Sequence, residues 1–323
     1  MTSPPFDPDI AVWLKARAAD PTAAATDIDG VRAHSRAVND RARALLASPA
    51  VPASEPAIVV DTAVGAVPAR LCRPDVPGPR PTIVYLHGGG WIAGGTDTHA
   101  QHVRRLCVEA SAVVVSVDYR LAPEHPFPAA FDDGLAVTRW AFSHIDDLGG
   151  DPARVVVAGD SAGGQLAASV ALACRDAALP LAAQLLIVPV TDLLGGYTDP
   201  EVNALYPSRA LRAEGHGLTT LAMADFTRLY GVDPAAPDWR SSPLRAADVS
   251  GVAPAVIHTA GFDPLCDEGS AYARRLTAAG VRVIERRWPT LNHGYFSLGG
   301  VSAAAEAAAQ SAARDLTALL AAP

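Results

Sequence analysis

From about residue 57 the chain alternates short apolar runs with amphipathic stretches. AIVVDTAVGAVPARLCRP reads as two short strands turning at Gly65. After a PGPRP break, TIVYLH predicts a buried strand, Thr98 to Ala110 a helix, and AVVVSVDY a second buried strand. A helix from Ala130 to His144, the strand in DPARVVVAGD, a helix from Ala162 to Ala177 and the strand AAQLLIVPV continue the series. The inner strands are unbroken apolar runs, the pattern of a mostly parallel α/β sheet covered by helices on both faces. The alternation stops at Thr191. Residues 191–250 are turn-rich, with one helix near Leu218–Tyr230. It resumes with the strand PAVIHTAG, a helix Gly269–Ala279, the strand VRVIERRW and a last helix Ser302–Leu320, on which Glu306, Gln310 and Arg314 fall four apart along one face.

Ahead of this body, Ile10 to Leu14 and Val31 to Leu46 carry helical spacing, and Pro49, Pro52 and Pro56 then break the chain. The pattern predicts helical cap segments at 1–56 and 191–250 on a main body made of 57–190 and 251–323. Both caps would lie above the C-terminal ends of the strands, where open α/β sheets bind ligands.

The chain has 323 residues, with 26 basic against 34 acidic side chains for a net charge of −8. That balance argues against nucleic acid and anionic lipid as partners. Cys72, Cys107, Cys174 and Cys266 form no C-x-x-C pair and are read as buried free thiols. The first residues lack the basic and apolar regions of a signal peptide, and no apolar run is long enough to span a membrane. The expectation is a cytoplasmic protein.

The sharpest chemical signal is Gly159-Asp160-Ser161-Ala162-Gly163, where the strand VVVAGD meets a helix. A serine in that tight turn is lifted above the sheet, glycines two residues to either side leave it room, and the helix points its positive end at it. The second signal is His87-Gly88-Gly89-Gly90-Trp91 after TIVYL. Three glycines let backbone N–H groups approach a reacting oxyanion closely, with His87 read as fixing the loop. A serine nucleophile needs a base, and the base an orienter. His293, in LNHGYF after the last strand, is the best placed of nine histidines, and Asp263 directly follows a strand, with Asp267 the second choice for the acid. His258 reads as a core histidine, His99 and His102 as a solvated helix face instead of a metal pair, and Asp132 and Asp133 as helix-opening charges.

Taken together, HGGGW, DYRLAPEHPFPAAFDD, GDSAGG and DPLCDEG resemble the bacterial hormone-sensitive-lipase-like esterases, of α/β-hydrolase fold with a helical cap. The likeness covers nearly the whole chain. It implies Ser161 as nucleophile, His293 as base and Asp263 as acid. The backbone N–H groups of Gly88, Gly89 and Ala162 would be the oxyanion donors. The stretch WPTLN departs from the family, many of whose members have a glycine near Thr290. The resemblance implies a serine carboxylesterase for short- to medium-chain acyl esters, needing no metal or organic cofactor. Homodimerisation through the last strand and helix is common among such esterases. The substrate pocket is expected to include Trp91, Asp160, Leu205 and Phe226, with Trp13, Tyr206 and Leu218 as further apolar candidates. The rival readings are a non-catalytic small-molecule binding module of the same fold, an amidase, lactonase or peptidase on the same scaffold and, last, a scaffold role. The presence of His293 favours catalysis.

Overall fold

The computed structural model describes residues 4–19, 27–47 and 50–322. Eight strands form one sheet: β1 (Ala57–Thr62), β2 (Gly65–Cys72), β3 (Arg80–Leu86), β4 (Val113–Val117), β5 (Gly150–Asp160), β6 (Ala183–Ile187), β7 (Ala255–Phe262) and β8 (Val283–Asn292). Their spatial order is β1-β2-β4-β3-β5-β6-β7-β8. β2 runs antiparallel to β1 and β4, and the other neighbours are parallel. The helices are α1 (Pro8–Ala18), α2 (Ile28–Ala44), α3 (Ala100–Glu109), α4 (Ala129–Ser143), α5 (Ile145–Leu148), α6 (Ala162–Asp176), α7 (Pro200–Ala204), α8 (Pro207–Leu211), α9 (Thr220–Tyr230), α10 (Cys266–Ala278) and α11 (Ala303–Ala321).

Strand side chains alternate between two cores. On one face Val84, Leu86, Val115 and Val157 pack with residues of α4, α6 and α10. On the other Ile83, Tyr85, Val114 and Val156 pack with α3 and α11. Burial on both faces explains the unbroken apolar runs. The four cysteines are buried and unpaired.

Local bonds set the position of the N-terminal helices. Asp7 caps α1, its Oδ1 accepting from the N–H groups of Asp9 and Ile10 at 3.0 Å. Its Oδ2 accepts from Ser302 Oγ at 2.7 Å, at the start of α11, and its own N–H donates to Thr290 O at 3.0 Å. Arg32 of α2 forks onto Glu124 at 2.8 Å and donates to the carbonyls of Ile92 and Ala122. Of the expected breaking prolines, Pro49 lies outside the described residues. Beyond it the chain runs beside β2 instead of hanging free: Ala53 N–H donates to Arg73 O at 2.9 Å, and Leu71 N–H to Pro56 O at 3.0 Å.

Candidate active site

At the end of β5 the backbone turns sharply into α6. Ser161 sits in that turn at φ 55° and ψ −119°, a conformation costly for a residue with a Cβ. Its N–H donates to Ile187 O at 2.9 Å, and its carbonyl accepts from Val190 N–H at 3.2 Å. A side chain at Gly159 would strike the Gly163 carbonyl, and one at Gly163 the Leu86 carbonyl, so both flanking glycines are sterically required.

His293 follows β8 and brings its Nε2 to 2.8 Å from Ser161 Oγ. Its Nδ1 lies 2.8 Å from Asp263 Oδ2, in the turn after β7. Asp263 is fully buried, and its Oδ1 accepts from Leu265 N–H at 2.9 Å. Burial lowers the affinity of the His293 imidazole for a proton. The Asp263 carboxylate beside it, helped by Asp160 and Glu268, outweighs burial and leaves the pKa raised. Asp267 is elsewhere: its Oδ2 accepts from Ser208 N–H at 2.7 Å, tying α10 to α8.

The three glycines divide differently from the expectation. Gly88 N–H donates to Asp160 Oδ1 at 3.1 Å and is not available to a substrate. Gly89 and Gly90 line the cavity with Ser161, and among the described residues neither N–H has an acceptor. Both have positive φ, at 123° and 60°, which turns the loop over the serine. Ala162 is the first residue of α6, so its N–H has no intrahelical partner. The backbone N–H groups left without a protein acceptor beside the serine are therefore those of Gly89, Gly90 and Ala162, one residue shifted from Gly88.

Beneath the serine lies a buried network. Asp160 Oδ1 accepts from Tyr85 OH at 2.6 Å, and Oδ2 is 3.4 Å from His99 Nε2. Burial opposes the Asp160 charge, but His99 and His102 hold the carboxyl well below the usual carboxylate range. His99 and His102 are buried, not solvated as expected, because α3 presses them against β3 and β5. With Asp160 they form a cluster whose ligand-type atoms lie within 4.8 Å of one another. Those atoms already have protein partners: His102 faces Tyr85 OH at 3.2 Å and Ser297 Oγ at 2.9 Å, and His99 Nδ1 faces Thr98 Oγ1 at 2.8 Å. His87 stacks on Tyr119 at 4.1 Å and reaches Gly88 O with Nδ1 at 2.8 Å. Burial, then His99, push its imidazole down to about 4, so it stays neutral. Asp133 is buried and takes the Arg120 guanidinium and N–H, holding the DYRLAPE loop. His258 is a core residue, with Nε2 3.0 Å from Asp315.

A cavity of about 310 Å³ opens above Ser161 and His293. Trp13, Asp160, Leu218 and Phe226 line it. Trp91 does not: at φ 61° it turns into the core, stacks on Tyr230 at 4.4 Å and donates to Gln165 Oε1 at 2.9 Å. Leu205 is 62% exposed on the surface, and Tyr206 is held by Asp192 at 2.6 Å. Sequence reasoning missed the wall supplied by α2. Val31, His34, Ser35, Val38, Asn39 and Ala42 face the cavity at helical spacing, a stripe readable from the sequence once the helix is known to border the cavity.

Sheet order, nucleophile turn and cavity define the class, an α/β-hydrolase. A family model described as alpha/beta hydrolase fold matches residues 83–297. The carboxylic ester hydrolase LipN of Mycobacterium tuberculosis is 42% identical over 86% of this chain and 73% of its own. The esterase LipI of the same organism is 39% identical over 94% and 91%. An esterase structure from Pyrobaculum calidifontis superposes with a TM-score of 0.89 at 34% identity, covering 98% of this chain and all of that one. The chain belongs to the alpha/beta-hydrolase fold family, on its hormone-sensitive-lipase-like esterase branch. It is a carboxylic ester hydrolase.

Proposed function

We propose that this enzyme hydrolyses short- to medium-chain acyl esters through an acyl-enzyme on Ser161. The observation that carries the reading is the Ser161–His293–Asp263 chain, with 2.8 Å at each link, beside the N–H groups of Gly89 and Gly90. Ser161 Oγ attacks the ester carbonyl while His293 Nε2 takes its proton. Asp263 holds the proton on Nδ1 and stabilises the imidazolium. The oxyanion is met by Gly89, Gly90 and Ala162, each such donor being worth about 10²–10³ in kcat by analogy with characterised hydrolases. His293 then protonates the leaving alcohol, and water repeats the cycle to free the acid. The steps as drawn require no cofactor.

The segments 1–56 and 191–250 act as the cap in this reading, since α1, α2 and α9 supply a large part of the cavity wall. No helix among the described residues is long and apolar enough to cross a membrane. Four unpaired thiols suit the reducing cytoplasm. A homodimer would pair through β8, the edge strand, whose exposed positions include Glu285, Arg286 and Arg287. Sedimentation velocity decides that point.

The test is kcat/KM for p-nitrophenyl esters from acetyl to palmitoyl, for matched amides and for lactones, each repeated with Ser161→Ala. Ester turnover that falls with chain length and disappears in the variant is expected. A profile dominated by amides or lactones would reassign the substrate, and tight ligand binding without turnover would make the chain a binding module.

A further inference from the structure

Among the described residues lining the cavity, Arg17 of α1 is the one arginine or lysine. It also lines an adjoining groove of about 810 Å³, which shares Leu14, Val31 and Phe226 with the cavity, so the guanidinium stands where the two spaces meet. Its Nε donates to His34 Nε2 at 3.4 Å, and among the described residues no carboxylate pairs with it. Burial and then the nearby Arg41 both work against its charge, lowering its pKa. The carboxylate in the same cavity, Asp160, lies beneath the serine and is engaged by Tyr85, Gly88 and His99. In the groove, Asp225 is paired with Arg228 at 3.3 Å, while Lys15, the single lysine of the chain, adds positive charge. A chain of net charge −8 thus gathers a net positive lining in the groove that adjoins its cavity.

A partly buried guanidinium without a carboxylate is costly unless a ligand completes it. Its planar fork matches a carboxylate bidentately. Leu14, Val31, Val38, Leu218 and Phe226 offer apolar walls for a methylene spacer between that end and the serine. We propose that the cavity takes esters carrying a carboxylate remote from the scissile bond, and that Arg17 binds it. Hydrolysis of a half-ester would break the acyl C–O bond, add water across it and release a dicarboxylate and an alcohol. The inference rests on the esterase reading above.

The experiment compares kcat/KM within two matched pairs. Monoethyl glutarate against ethyl pentanoate places the charge on the acyl side; 4-acetoxybutanoate against butyl acetate places it on the alcohol side. The charged-to-neutral ratio of at least one pair is expected to fall about tenfold or more in Arg17→Gln, and to be partly kept in Arg17→Lys. In the wild type the same ratio should fall as NaCl is raised. If Arg17→Gln does not fold, the wild type decides: competitive inhibition by glutarate or 4-hydroxybutanoate that weakens with salt supports the proposal, and its absence overturns it. Ratios equal in wild type and variant for both pairs also overturn it, leaving Arg17 as a tie between α1 and α2. Failure of the esterase reading looks different, because the neutral esters would then not be turned over either.

Discussion

At the residue scale, the three groups of the proposed triad come from three loops that are remote in sequence. Replacing Ser161 or His293 by alanine is expected to lower kcat about 10⁴-fold or more, and Asp263→Asn about as steeply, because the imidazole would lose its tautomer. Asp267→Asn should leave the rate within its own order of magnitude, since its carboxylate serves Ser208 and not the histidine. Initial rates on one ester read all four, and a steep loss in Asp267→Asn alone would move the acid. The raised His293 pKa fixes a pH sign. The base works neutral, so kcat/KM should climb with pH, with its midpoint above the ordinary imidazole value of ~6.5. The stabilisation that Asp263 gives the imidazolium runs the other way. It is complete below the unfolded pKa and is lost as pH rises through the folded one. A flat pH–rate profile from below to above that midpoint would count against this base. Ser161, Asp263 and His293 stood out in the sequence because strand ends and loops announce themselves, and the fold brings the three side chains together at 2.8 Å per link. Gly88 was not separable from Gly90, because three consecutive glycines look alike until the Asp160 carboxylate is seen to take one N–H.

At the scale of elements, alternation gave away the sheet and the long helices, since burial on both faces leaves an unbroken apolar run. Helices α5, α7 and α8 have four or five residues, too few to establish a period. The burial of His99 and His102 was equally hidden, because it comes from α3 packing on strands distant in sequence. The nucleophile turn itself is testable. Gly163→Ala would place a methyl on the Leu86 carbonyl and should abolish activity or soluble expression, whereas a normal enzyme would mean that the turn can relax. A second element-level device anchors the segment after β6. Arg209 of α8 and Glu268 of α10 form an ion pair at 2.7 Å with both side chains fully buried, and Glu268 also accepts from Thr191 N–H and Tyr197 OH. Glu268→Ala strands the guanidinium and should cost about 3–5 kcal/mol in urea unfolding. A loss below about 1 kcal/mol would mean that water reaches the pair.

At the scale of the whole molecule, the cavity belongs to no single element. The end of β5, the glycine loop, α1, α2, α9 and the stretch from Asn292 to Leu298 all contribute lining residues. This is why pocket residues were the least legible part of the sequence. Trp91 adjoins the glycines in the chain yet points into the core, while Val38, more than a hundred residues before Ser161, faces it. Phe226 of α9 lines the cavity, its ring so near Gly90 that a Cβ there would lie 2.6 Å from it. An acyl chain lying along α9 would stop against that ring. Phe226→Ala should then raise kcat/KM for octanoyl relative to acetyl esters by about tenfold, the scale set by a few methylene contacts in an apolar pocket. If the chain instead runs toward α2, the ratio should not move with Phe226, and Val38→Phe should depress the octanoyl rate. The two variants together decide which remote element sets acyl length.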